Sequence, residues 1–133
     1  MAIIPDVKVA YGPANEIYLL GGSPAVEQWD DLGVVAKARL DSRFKLICTA
    51  TDLLDDRKIR KVSGSDQVYE IKIKKPPLRA FAFRDGSLRI THIESKPSKS
   101  RVLDEARKCE RIRNEYWKRK AEHGTKNPTR KTT

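Results

Sequence analysis

The sequence predicts an α+β fold, with a small antiparallel sheet in the middle of the chain, helical segments before it and one basic helix after it. Three observations predict it. Between Val68 and Ser95, apolar and polar residues alternate with a period of two, broken at Lys74-Lys75-Pro76-Pro77 and at Asp85-Gly86, a dipeptide suited to a tight hairpin turn. Upstream, Val26, Trp29, Leu32, Ala36 and Leu40 recur at helical spacing. Downstream, Val102, Ala106, Cys109, Ile112 and Tyr116 form an apolar stripe in a segment otherwise crowded with Lys and Arg.

Taken in order, Asp6 to Ala10 is a candidate extended segment, Tyr11-Gly12-Pro13 a turn, and Glu16 to Leu20 a short edge strand ended by Gly21-Gly22. Ser23 offers an N-cap and Pro24 a first helical position, where its missing N–H costs nothing. Asp41-Ser42 is the expected cap of a second helix reaching Asp55, unless the two helices run on as one. Asp56 to Asp66 lacks apolar periodicity and contains Ser63-Gly64-Ser65, so it is expected to be a loop. Ser95 to Ser100 is a Ser/Lys/Pro loop whose last residue offers a cap to the final helix, expected to run to about His123. Residues 1–123 thus form one expected domain and 124–133 a disordered basic tail.

Composition bounds the partners. With 28 Lys and Arg against 18 Asp and Glu, the formal charge of +10 points to a polyanion such as nucleic acid, or to an acidic protein. No apolar run is long enough to span a bilayer and no signal-peptide pattern is visible, so a cytoplasmic location is expected, with no membrane partner. Cys48 and Cys109 fall in predicted helices and read as reduced core thiols, and with His92 and His123 they lack zinc-like spacing. There is no glycine-rich phosphate loop and no nucleophile elbow. Neither a metal nor a cofactor is expected.

A two-residue turn at Asp85-Gly86 would pair Phe83 with Leu88, Phe81 with Ile90 and Arg79 with His92. A four-residue turn at Lys74 to Pro77 would set Lys72 beside Arg79, while a three-residue turn would break that alignment. Lys72, Arg79 and His92 then form a row across the sheet, with Tyr69, Ile71, Ile73, Leu78 and Ile93 on the other face. Such a row matches in type what metal-free RNA cleavage needs: a base near the 2′-hydroxyl, cations around the phosphorane, and an acid for the leaving oxygen. An imidazole that titrates near ~6.5 suits either proton role. The plain alternative is that these cations cover a solvated face. Lys74, Arg84, Arg89, Lys96, Lys99, Arg111, Arg113 and Lys118 are the candidate RNA-binding residues around the row.

Four stretches together resemble the RelE/HigB-type toxins of bacterial and phage-borne toxin–antitoxin pairs. They are Gly21 to Val26 with Trp29 and Leu32, Tyr69-Glu70-Ile71-Lys72-Ile73, Leu78 to Gly86, and Lys96 to Lys99 leading into Glu105-Ala106. The resemblance implies a RelE-like fold with two N-terminal helices on one face of an antiparallel sheet and messenger RNA on the other. It implies a metal-independent messenger-RNA endonuclease acting at the ribosome and inhibiting translation, with a cognate antitoxin as partner. The family's basic residues fall on Lys72, Lys74, Arg79, and Lys96 or Lys99. Glu70 stands where some members carry Lys, and Val102 and Leu103 occupy the place of an early helical Tyr, so the general base is unassigned. A noncatalytic RNA- or ribosome-binding module, and a gyrase inhibitor of the ParE branch, are the other readings.

Overall fold

The computed structural model describes residues 4–50 and 58–126, with side chains to residue 122. The elements are β1 (Val7–Tyr11), β2 (Glu16–Leu19), α1 (Pro24–Asp31), α2 (Val34–Thr49), β3 (Ile59–Lys61), β4 (Tyr69–Ile73), β5 (Leu78–Asp85), β6 (Ser87–Ser95) and α3 (Lys99–Lys126). They form a six-stranded sheet in the order β1-β2-β6-β5-β4-β3. The fold is α+β as expected, but the sheet is mixed, because β2 lies parallel to β6 while all other pairs are antiparallel. The single edge strand expected near the N-terminus is a pair, β1 and β2. The loop expected from 56 to 66 contains a short strand, β3, on the outer edge of β4.

Local chemistry explains the first helix. The Ser23 hydroxyl accepts from the Ala25 amide at 3.3 Å, and Pro24 occupies the first helical position. Such a cap is worth about 1 kcal/mol. The break to α2 comes at Leu32-Gly33, not at Asp41-Ser42: Leu32 is extended, with ψ 142°, and Gly33 is the next N-cap. Asp41 instead pairs with Lys45 one turn later in α2. α1 and α2 are held together by Trp29 stacked on Phe44, with centroids 5.7 Å apart. The expected extension of α2 to Asp55 and the tail beyond residue 126 lie outside the described residues. α3 continues past His123 to Lys126.

Period-2 alternation sends the sheet's side chains into two cores. Ile17, Leu19, Ile71, Ile73, Ala80, Ala82, Leu88, Ile90 and Ile93 pack against Ala25 of α1 and Leu40, Phe44, Ile47 and Cys48 of α2. On the opposite face, Leu20, Val62, Val68, Phe81 and Phe83 pack against Ala106 and Cys109 of α3, flanked by Val102, Ile112 and Tyr116. The expected stripe of α3 is therefore its packing face. The face that the resemblance leaves to RNA is partly covered by this helix. Both cysteines are free and buried, and burial pushes the Cys109 thiol up to about 11. No helix among the described residues is long and apolar enough to cross a membrane.

Gly21 is the most closely confined of the described glycines. A Cβ there would lie 2.1 Å from the Ile4 carbonyl oxygen and 2.6 Å from that of Pro5, and the Gly21 amide donates to Asp6 Oδ1 at 2.8 Å. Both obstacles are backbone, which cannot swing aside. Gly21→Ala is expected to lower stability by ~1–3 kcal/mol, the usual cost of overpacking. Urea unfolding of the variant beside wild type checks this; an unchanged midpoint would mean that the N-terminal segment yields freely.

Candidate nucleic-acid interface

The β5–β6 hairpin positions the candidate residues, and its register differs from the expected one twice. Gly86, at φ +72°, alone separates the paired residues Asp85 and Ser87, so Phe83 faces Arg89 and Ala82 faces Ile90. A β-bulge then shifts the ladder between Phe81 and Ala82, so that Phe81 faces His92 and Arg79 faces Glu94. Thr91 is the extra residue. A bulge rotates the strand beyond it. As a result, Ile90 belongs to the α1/α2 core while His92 stands on the α3 side beside Phe81. The β4–β5 turn has the expected register, with Ile73 opposite Leu78 and Lys72 opposite Arg79. The row across the sheet is Lys72, Arg79 and Glu94.

His92 is fully buried, stacked on Phe81 with centroids 4.9 Å apart. Its Nε2 lies 3.0 Å from Glu105 Oε1 and its Nδ1 2.9 Å from the Thr91 hydroxyl. A carboxylate only accepts, so Nε2 carries the hydrogen and Nδ1 is the acceptor, facing a Thr91 hydroxyl whose one hydrogen is shared between Nδ1 and the Phe81 carbonyl oxygen at 3.3 Å. Burial, reinforced by Lys108 and Arg111, pushes the imidazole down to about 3. His92 is thus a neutral pin between the sheet and α3, and its expected place opposite Arg79 is corrected, since Glu94 stands there.

Glu70, only 1% exposed, organises the adjoining charges. It accepts from Arg60 Nε at 2.8 Å and pairs with Arg79 Nε at 3.4 Å. Arg79 also donates to the Ile73 and Leu78 carbonyl oxygens at 3.1 and 2.9 Å, so its guanidinium ties together the two ends of the β4–β5 turn. A buried carboxylate needs such partners, because desolvating it unpaired would cost several kcal/mol.

The other candidates divide by place. Lys74 is exposed on the β4–β5 turn beside Lys75, and the Lys96 amide donates to the Pro77 carbonyl of that turn at 2.9 Å. Lys72, Lys74, Arg79 and Lys96 are thus brought to one end of the sheet. Lys99 lines a separate recess with Arg60, Val62 and Leu103. At the far end, exposed Arg84 donates to Asn15 Oδ1 at 2.8 Å. Arg89 is held by Asp6 and sits over the Tyr18 and Tyr116 rings, 17% exposed. Arg113 is bound to Asp66, while Arg111 and Lys118 are exposed along α3. The candidate cations therefore do not share one surface: Arg89 and Arg113 are paired with Asp6 and Asp66 within the fold, and Arg84 lies at the opposite end from Lys74.

Sequence reasoning missed Arg60 and Glu105, whose roles appear only through non-local packing. It also missed Arg39 and Arg43, which the spacing of four residues places on one side of α2 and so left visible. Among the described residues, no three His, Cys, Asp or Glu side chains are grouped so as to hold a metal ion. Comparison with known proteins found no matching family model, no matching curated protein and no matching solved structure.

The burial of His92 sets a pH dependence. Its folded pKa lies below the unfolded value of ~6.5, so between about 3 and that value the unfolded chain binds the extra proton. Its contribution is full above that window and is lost as pH falls through it. Urea midpoints measured between pH 4 and 7 are expected to rise more steeply for wild type than for His92→Gln. Equal slopes would place the imidazole in water.

Proposed function

We propose that this chain is a toxin of the RelE/HigB type, which binds messenger RNA at the ribosome, cleaves it without a metal and is silenced by a cognate antitoxin. The observation that carries this reading is the convergence of Lys72, Lys74, Lys75, Arg79 and Lys96 where β4 ends, β5 begins and β6 runs out. A concentration of cations at one edge attracts a phosphate backbone and releases its counterions. The same cations favour ionisation of a 2′-hydroxyl, whose proton passes to water. The 2′-oxygen attacks the phosphorus, the cations stabilise the phosphorane, and the P–O5′ bond breaks as the leaving 5′-oxygen takes a proton from water, which gives a 2′,3′-cyclic phosphate. In this scheme Lys72 faces the reacting phosphate, Lys74 and Lys96 hold the flanking phosphates, and Arg79 shapes the turn that presents Lys74. His92 moves no proton. The antitoxin supplies the opposite charge to this end of the sheet, consistent with a chain of formal charge +10.

A second reading has its own support. The burial of His92, and the engagement of the row's own carboxylate, Glu94, by Gln28 and Lys108, leave the row without a free base, which favours a noncatalytic RNA- or ribosome-binding module.

Induced expression in bacteria, with growth and messenger-RNA integrity followed side by side, separates the two. Wild type is expected to arrest growth and cut messenger RNA. Lys72→Ala is expected to cut ~100-fold more slowly, the usual loss for one transition-state donor, with RNA affinity kept within about tenfold. Arrest with intact messenger RNA would carry the second reading. Neither arrest nor RNA affinity would overturn both.

A further inference from the structure

A recess of about 500 Å³ lies between α2 and the β4–β5 turn, lined by Arg39, Ser42, Arg43, Leu46, Lys58, Ile73, Lys74 and Lys75. Arg39, Ser42, Arg43 and Leu46 are spaced three and four residues apart, so one side of α2 forms its wall. The opposite wall is the turn, and Ile73 adds an apolar side chain to that of Leu46. Five of the eight lining residues are cations, and none is an acid. Among the described residues, Arg39, Arg43, Lys74 and Lys75 have no carboxylate partner, whereas Lys45, on the other side of α2, is paired with Asp41. Like charges gathered in one recess repel one another, and a bound anion relieves that repulsion.

We propose that this recess is a phosphate-binding site that takes a nucleotide phosphate of single-stranded RNA, with the sugar or base resting on Leu46 and Ile73. The chemistry follows from the lining. Guanidinium forks bind phosphate oxygens in pairs, the Ser42 hydroxyl adds a neutral donor, and the two apolar side chains suit a ring. The β4–β5 turn joins this recess to the interface described above. Lys72 stands on the α3 side of the sheet, Ile73 on the α2 side, and Lys74-Lys75 on the rim between them. An RNA strand that passes Lys72 and bends over the turn therefore reaches Arg39 and Arg43 on the other face. The inference rests on the RNA-binding reading for its ligand and extends it to residues of α2.

The test compares wild type, Arg39→Gln/Arg43→Gln and a control of equal charge, Lys37→Gln/Lys45→Gln, for binding to single-stranded RNA of about ten nucleotides. All four positions lie on α2, and none of the substitutions removes a buried apolar group. Each neutralised phosphate contributes about 0.7 to the logarithmic salt slope, so the recess variant, which loses one phosphate site, should shallow the slope by about 0.7 and bind severalfold more weakly. The control pair should keep the wild-type slope. If the recess variant matches the control, the inference is overturned while the RNA-binding reading stands. If wild type has no affinity for RNA, that reading fails, and the recess is judged by titration with inorganic pyrophosphate. Amide shifts at Ser42, Arg43, Lys74 and Lys75 that vanish in the variant would then uphold a phosphate site; their absence in wild type would overturn it.

Discussion

What β6 contributes to the candidate interface depends on the extra residue that it carries opposite β5. With Thr91 inserted into the ladder, Ile90 remains in the α1/α2 core while His92 turns toward α3, where Phe81 and Glu105 hold it. Had the ladder continued without the bulge, alternation would have kept His92 on the same face as Ile90, and α3 would have lost a buried polar anchor. The bulge therefore decides two matters at once: which helix the imidazole supports, and which side chain stands opposite Arg79. That side chain is Glu94, which itself reaches Gln28 of α1 and Lys108 of α3.

The second constraint is the buried carboxylate of Glu70. It draws Arg60 from β3 and Arg79 from β5 onto β4, so that three neighbouring strands share one ionic cluster. Such a cluster adds little net stability, but removal of one partner is costly because a desolvated charge remains. This arrangement sorts the basic residues into two kinds. Arg60, Arg79, Arg89 and Arg113 are committed to carboxylates of the fold, whereas Lys74, Lys75, Lys96, Arg39 and Arg43 project where a ligand can meet them. The lysines and the α2 arginines, more than the strand arginines, define the surface offered to an anion.

Much of this was legible in the sequence wherever a local rule applied. Alternation from Val68 onward located β4, β5 and β6, and the Ser23-Pro24 pair located the start of α1. The α3 stripe of Ala106, Cys109, Ile112 and Tyr116 was visible from spacing alone. The failures share a cause. β3 is too short to show a period, the helix break at Leu32-Gly33 has no side-chain cap to announce it, and a bulge inside an alternating run leaves no compositional mark. Glu70 sits between Tyr69 and Ile71 in a strand whose next polar residue is Lys72. Pattern alone reads such a Glu as solvated, whereas in the fold it is buried and held by Arg60 and Arg79 from the strands on either side. The expected register therefore holds between Lys72 and Arg79, where a four-residue turn set it, and fails between Arg79 and His92, where a one-residue turn and a bulge displace it.

The parallel pairing of β2 with β6 has a consequence for how the molecule comes into being. Ile17, Tyr18 and Leu19 find their partners at Leu88, Arg89 and Ile90, so β2 has only β1 beside it until most of the chain has been synthesised. During translation the apolar side chains of β2 and the adjoining helices must wait for a strand that emerges far later. Such non-local closure slows folding and leaves an unpaired strand exposed to neighbouring nascent chains. The last strands to leave the ribosome are thus the ones that complete the core begun by the first.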